Sequence, residues 1–182
     1  MTAQPHDIDT TPTADDAGEG AALTAGVLRL DPEATLLCAM MFSRDADELA
    51  LVAEHLSAED FINPRFGELF TALTELIAAG EGHEPTRVLA HLHNVGELAG
   101  HKGKLRADAL QAISLLDTPA LGLQGRALDV LRATYRRAYR AAAQRQLQAA
   151  DEAATDHLFD IILDAGTQMR TYTRRLDALA RA

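Results

Sequence analysis

The feature that most constrains this chain is its last third. From Gly125 to Ala150 it runs without a proline or an internal glycine, which reads as one long helix. In the segment after it, Leu158, Ile162, Ala165, Met169, Tyr172, Leu176 and Leu179 recur at steps alternating four and three. That rhythm is a heptad seam. Leu128, Leu131, Tyr135, Ala138 and Ala142 keep a matching rhythm on the first helix. Thr155, through Asp156, offers a cap for the second helix after a short joint. Two long helices so joined make an antiparallel hairpin. Gly166 weakens the second helix slightly but permits close helix approach.

A lone two-helix hairpin buries too little to stand as a domain. It has to pack on the rest of the chain, on another hairpin, or on both. Two hairpins from two copies would give a four-helix bundle. The residues expected at such an interface are Leu131, Tyr135, Ala138, Ala142, Leu158, Ile162, Ala165, Met169, Tyr172 and Leu176.

Ahead of the hairpin the pattern is one of short helices. Asp31-Pro32 and Asn63-Pro64 each pair a capping side chain with proline at the first helical position. Leu36, Leu37, Met40 and Met41 form an apolar face after the first. Asp45 with Glu48 reads as a capping box before Leu49, Val52, Ala53 and Leu56. Ser57-Ala58-Glu59-Asp60 reads as a short helical turn. Phe66, Leu69, Phe70, Leu73 and Leu76 supply a buried stripe that Gly80 stops. Pro85 opens another helix, with Val88, Leu89 and Leu92 expected inward and Gly96 at its end. Residues 96–104 read as a polar loop, and Leu105, Leu110, Ile113 and Leu116 as a further helix that Thr118-Pro119 interrupts. The expected fold is therefore all-α, with a small multi-helix head over 28–119 and a long hairpin over 120–182. Residues 1–27 are acidic, rich in Thr, Ala and Asp, and read as a disordered arm.

Composition narrows the function. The only lysines are Lys102 and Lys104, and no glycine-rich run carries the Lys and Ser/Thr spacing that cradles phosphates. Nucleotide hydrolysis is not expected on that ground, and 182 residues are expected to leave no room for a motor domain beside the elements above. Aromatics are 4% with no tryptophan, which removes most base-stacking platforms. The single cysteine, Cys38, sits among Leu36, Leu37 and Met40 and reads as a small core residue. The histidines lack a ligand spacing, with His91 and His93 pointing to different helix faces. No catalytic, cofactor or metal residue is expected. The absence of a secretory signal or a membrane-length apolar run points to the cytoplasm.

The strongest polar signal is basic. Arg126, Arg132, Arg136, Arg137, Arg140 and Arg145 share the first hairpin helix, and Arg132, Arg136 and Arg140 lie four apart on one stripe. With a net charge of -10, such a stripe fits ion pairs or protein docking better than general DNA affinity. Arg132, Arg136, Arg137 and Arg140 are the candidate contacts for a partner or a nucleic acid.

Several stretches resemble the N-terminal domain of the bacterial replicative DNA helicase, the DnaB family. The stretch DPEATLLCAMMF resembles the first helix of that domain. LVAEHLSAEDFINPRFGELFTALTEL is the closer likeness, carried by Leu56, Glu59, Asp60, Phe61, Pro64, Phe66 and Phe70. EPTRVLAHLHNVGEL resembles the next helix, with Glu84 at its acidic start, and RALDVLRATYRRAYRAAAQRQL resembles the first arm of the family's hairpin. The glycine pair that the family carries after its middle loop is poorly represented by His101-Lys102-Gly103. The resemblance implies a helical head plus hairpin that dimerises and, in the full helicase, contributes to a collar where primase and helicase loaders dock. The expected function is a non-catalytic interaction module in DNA replication, a homodimer or higher oligomer that docks a helicase, primase or loader. The alternative is a DNA-binding regulator that uses the arginine stripe.

Overall fold

The structure, a computed structural model, describes residues 27–181; the acidic arm falls outside this range but for Val27. Seven α-helices form among the described residues: α1 Pro32–Phe42, α2 Ala46–His55, α3 Pro64–Ala78, α4 Pro85–Asn94, α5 Gly100–Ser114, α6 Leu123–Glu152 and α7 Leu158–Arg181. Short 3-10 turns, Ala58–Asp60 and Thr155–His157, precede α3 and α7. No strand occurs among the described residues, and the fold is all-α.

The capping side chains set the helix starts. Asp31 Oδ1 accepts from the Glu33 amide at 2.8 Å and the Ala34 amide at 3.4 Å. Asn63 Oδ1 accepts from the Arg65 amide at 3.1 Å, again beside a proline. Asp45 caps α2 through the Asp47 and Glu48 amides. The capping box expected there is only half formed, because the Glu48 carboxylate accepts from the Leu123 amide at 3.3 Å. That bond ties α2 to the start of the hairpin, where α6 has no side-chain cap of its own.

Helix α1 is the centre of the head. Leu36, Leu37, Cys38, Ala39, Met40 and Met41 are all buried, so it is covered nearly all round rather than on one face. Helices α3, α5 and α6 pack on it. The hydrophobic core then continues into the hairpin through Leu123, Ala127, Val130 and Leu131 of α6 and Leu179 at the far end of α7. Gln124 Nε2 donates to the Leu179 carbonyl at 2.7 Å, so α7 returns to the start of α6 and the hairpin is antiparallel.

Two local expectations are corrected. Residues 96–104 are not all loop, since α5 begins at Gly100. Gly103 is buried within its first turns, where a Cβ would overlap the Leu98 backbone, so a bare backbone there lets α5 start against that segment. Leu89 is exposed, whereas Val88 and Leu92 are buried. Val88 and Leu92 are four apart and form the inward stripe, and Leu89 lies about 100° away on the rim of a groove with Pro85 and Leu110.

Candidate protein-interaction surface

The base of the hairpin is fixed to the head by a buried carboxylate. Asp60 sits in the 3-10 turn before α3 and is 2% exposed. Its Oδ2 accepts from the Ser57 amide at 2.7 Å and from the Ser57 hydroxyl at 3.2 Å. Arg175 of α7 donates to both Asp60 carboxylate oxygens and, through Nε and Nη2, to the His55 carbonyl at 3.0 and 2.7 Å. From the other arm, the Thr134 hydroxyl and Arg137 Nη2 donate to the Asp60 carbonyl. One turn of the head thus bonds both arms at once. Gly67 permits this placement, because a Cβ there would stand 2.5 Å from the Ala58 carbonyl oxygen and push α3 off the turn.

Glu33 completes the junction. It is buried, its carboxylate accepts from the Ile62 amide at 2.6 Å and the Asn63 amide at 3.3 Å, and Arg137 is near enough to act on its charge. Burial raises its pKa above the ordinary carboxylate value, against the opposing pull of those two amides and of Arg137.

Above this junction the hairpin is built differently. Ala142, Ala149 and Ala165 are the only buried residues along the distal halves of the arms. Several large apolar side chains point outward: Tyr139 is 60% exposed, Leu147 72%, Phe159 70%, and Ile162 and Leu163 56% each. Alanines let the arms approach closely but give little apolar burial. Tyr139, Ala143, Ile162, Gly166 and Met169 line one shallow groove of about 220 Å³ between the arms. The opposite side of the arms is more polar, lined by Arg145, Gln148, Glu152, Asp164 and Gln168 together with Ile161. The distal hairpin therefore has an apolar broad side and a charged one.

The residues expected at an interface fall into three groups. Leu131 is fully buried in the head core, and Ala142 and Ala165 are buried between the arms. Tyr135, Ala138, Leu158, Met169, Tyr172 and Leu176 are half-buried along the seam. The Tyr135 and Tyr172 rings lie 6.1 Å apart, with the Arg175 guanidinium 5.6 Å from the Tyr172 centroid, so these rings already serve the chain's own packing. Ile162 alone of the set is well exposed, and its neighbour Ile161 takes the inward position. A heptad step of three or four from Leu158 fits either isoleucine, which is why spacing alone did not separate them. Tyr139, Leu147, Phe159 and Leu163 were not singled out by the sequence. The missing signal was the run of alanines at the seam, which marks the flanking large residues as the outward ones.

The arginines divide as well. Arg137 is held at the junction, and Arg132 Nη1 bonds Asp129 at 3.2 Å. Arg136 and Arg140 are exposed and make no ion pair among the described residues. Cys38 is fully buried, and burial pushes its thiol above the usual value, which suits a packing residue. Among the described residues no group of three or more His, Cys, Asp or Glu is placed to hold a metal. None of the described helices is long and apolar enough to cross a membrane.

Residues 28–114 match a family model described as the DnaB-like helicase N terminal domain. A crystal structure of the N-terminal domain of DnaB helicase from Mycobacterium tuberculosis matches with a TM-score of 0.61 and 26% identity, over 73% of this chain and 94% of that one. That share of 182 residues exceeds the whole of residues 1–114, so the likeness reaches into the hairpin. No curated protein matches the chain.

Proposed function

We propose, taking residues 28–114 as a DnaB-like helicase N-terminal domain, that this chain is a non-catalytic assembly module whose hairpins pair two copies and whose dimer docks a replicative helicase, primase or helicase loader. The observation that carries the reading is the reversed packing of the distal hairpin. Alanine lies inside, while Tyr139, Phe159, Ile162 and Leu163 stand in solvent on short-spaced positions. A second hairpin laid on that side would bury those side chains, each worth roughly 1.5–3 kcal/mol when fully removed from water. The charged rim of Arg136 and Arg140 would then select orientation and partner more than add affinity.

The charge and packing of the head fit a role apart from the hairpin's. Its core is closed within one chain, by head side chains together with Leu123, Val130, Leu131 and Leu179 from the base of the hairpin. The DNA-binding alternative rests on a smaller basis than the sequence implied, since Arg137 is spent on Asp60 and Arg132 on Asp129. Of the four candidates, Arg136 and Arg140 are exposed without an ion pair among the described residues, and Arg132 is exposed beside Asp129.

Light scattering after size exclusion tests the partner half of the reading. The chain is run alone and mixed with the replicative helicase and with the primase of the same cell. Co-migration with either supports docking. A protein that self-associates yet co-migrates with neither removes docking and leaves dimerisation standing.

A further inference from the structure

The first turns of α3 and α5 come together on the head. Arg106 of α5 is buried and donates through Nε to Glu68 of α3 at 2.8 Å. One turn nearer the helix starts, Arg65, His101 and Lys102 line a cleft of about 490 Å³ together with Asn63, Pro64 and Leu105. Arg65, His101 and Lys102 are exposed and make no ion pair among the described residues. Glu68, the carboxylate in this lining, is met by Arg106. Pro64 and the half-buried Leu105 give the cleft an apolar wall beside its cations.

Other concave places on the chain have their charges spent. In the cleft between α3 and α4, His91 pairs with Glu75 at 2.9 Å, and Arg106 with Glu68 and Glu97. Near the hairpin tip, Arg145 shares a groove with Glu152 and Asp164. Arg136, Arg140, Arg170 and Arg174 are also exposed without ion pairs among the described residues, but they line neither groove between the hairpin arms. The α3–α5 cleft is thus concave, cationic and unpaired at once. The head around it is acidic, with 15 Asp and Glu against seven Lys and Arg over residues 28–119. A long polyphosphate crossing the cleft would run on over that negative surface and be repelled. A short segment whose charge ends in the cleft would not.

We propose that this cleft docks a short acidic segment of a partner protein, with a carboxylate on Arg65 and Lys102 and an adjoining apolar side chain against Pro64 and Leu105. Asn63 spends its Oδ1 on the Arg65 amide, which leaves its Nδ2 group, like the His101 ring, to donate to the segment. The contact rests on the reading that the chain docks a partner, and it gives that docking a place and a chemistry. It is independent of hairpin pairing, because none of the lining residues lies on α6 or α7. Charge steers the segment in and the apolar wall helps to hold it, so binding weakens with salt without vanishing.

Fluorescence anisotropy of the full chain with a fluorescein-labelled peptide, Asp-Asp-Leu-Phe-Asp-Asp, tests this. The wild type binds it saturably at low salt. Combining Arg65→Gln with Lys102→Gln weakens binding about fivefold, as two exposed charge contacts are lost. Combining Arg170→Gln with Arg174→Gln removes the same charge from the hairpin and leaves the affinity unchanged. Peptides with Asn in place of Asp, or Ser in place of Leu and Phe, bind more weakly than the parent. Absence of saturable binding overturns the proposal, as does equal binding of either altered peptide or an equal loss in the two double variants. A poly-dT oligonucleotide that binds more tightly than the peptide, and is lost with Arg65→Gln and Lys102→Gln, assigns the cleft to nucleic acid and also overturns it. Failure of the docking reading shows differently. A chain that binds the peptide yet co-migrates with neither helicase nor primase keeps the cleft and loses those partners, whereas co-migration without peptide binding keeps docking and removes the cleft.

Discussion

The head and the distal hairpin are both helical, but they bury opposite kinds of residue. In the head, Leu36, Leu37, Met40, Phe66, Phe70 and Leu73 are inside. In the distal hairpin, Ala142, Ala149 and Ala165 are inside, and Phe159, Ile162 and Leu163 are out. The head therefore closes its core within the chain, with help from the base of the hairpin, whereas the distal hairpin leaves these large apolar side chains unburied. Between them lies the Asp60 junction, which aims the hairpin without burying its outer side. The lesson is that helix type and even heptad rhythm do not tell which side of a helix is the interior. The size of the side chains at the seam does.

The contrast can be broken most severely in the head. Leu37→Ala removes a fully buried side chain of α1 and is expected to cost about 3 kcal/mol, read as a lower midpoint in urea denaturation. Arg175→Met is expected to cost about 2 kcal/mol, less than for a fully buried pair because Arg175 is partly exposed. Hydrogen exchange should then rise near the start of α6 and the end of α7 while α1 stays protected. Pairing it with Asp60→Asn should recover part of the loss, since the unpaired buried charge is gone.

Acidity gives a smaller effect, again confined to the junction. The raised pKa of Glu33 means that the folded state holds its proton to a higher pH than the unfolded chain does. Its contribution to stability is thus largest at low pH and is lost as the pH rises from the ordinary carboxylate value through the raised one. Glu33→Gln should flatten that part of the stability-against-pH curve. An unchanged slope would show that burial at Glu33 is offset by its amides and Arg137. Smallest of all, Ile162→Ser or Phe159→Ser should alter the stability of a single chain by no more than about 0.5 kcal/mol, because neither side chain is packed in it.

Much of the fold was legible in the sequence because its signals are local. Proline beside Asp31 and Asn63, the stripe Phe66–Leu76 and the proline-free run after Gly125 each fix a helix from nearby residues. The junction was not legible. Asp60 reads as a turn residue, and only folding brings Arg175 and Arg137, more than 70 residues away, onto it. The hairpin seam was half legible: Leu158, Ala165 and Met169 lie where the rhythm puts them, but Ile161 and Ile162 exchange sides. Tyr172 and Leu176 pack against the head core, so charging them would damage the chain's own fold and say little about pairing.

The central claim, that the hairpin's outer side is completed by a second copy, is tested most directly by sedimentation equilibrium of the full chain and of its Phe159→Ser/Ile162→Ser variant. The account predicts the mass of two chains for the first and of one folded chain, with unchanged helical circular dichroism, for the second. A wild-type protein with the mass of a single chain, or a variant that pairs as tightly as the wild type, would contradict it.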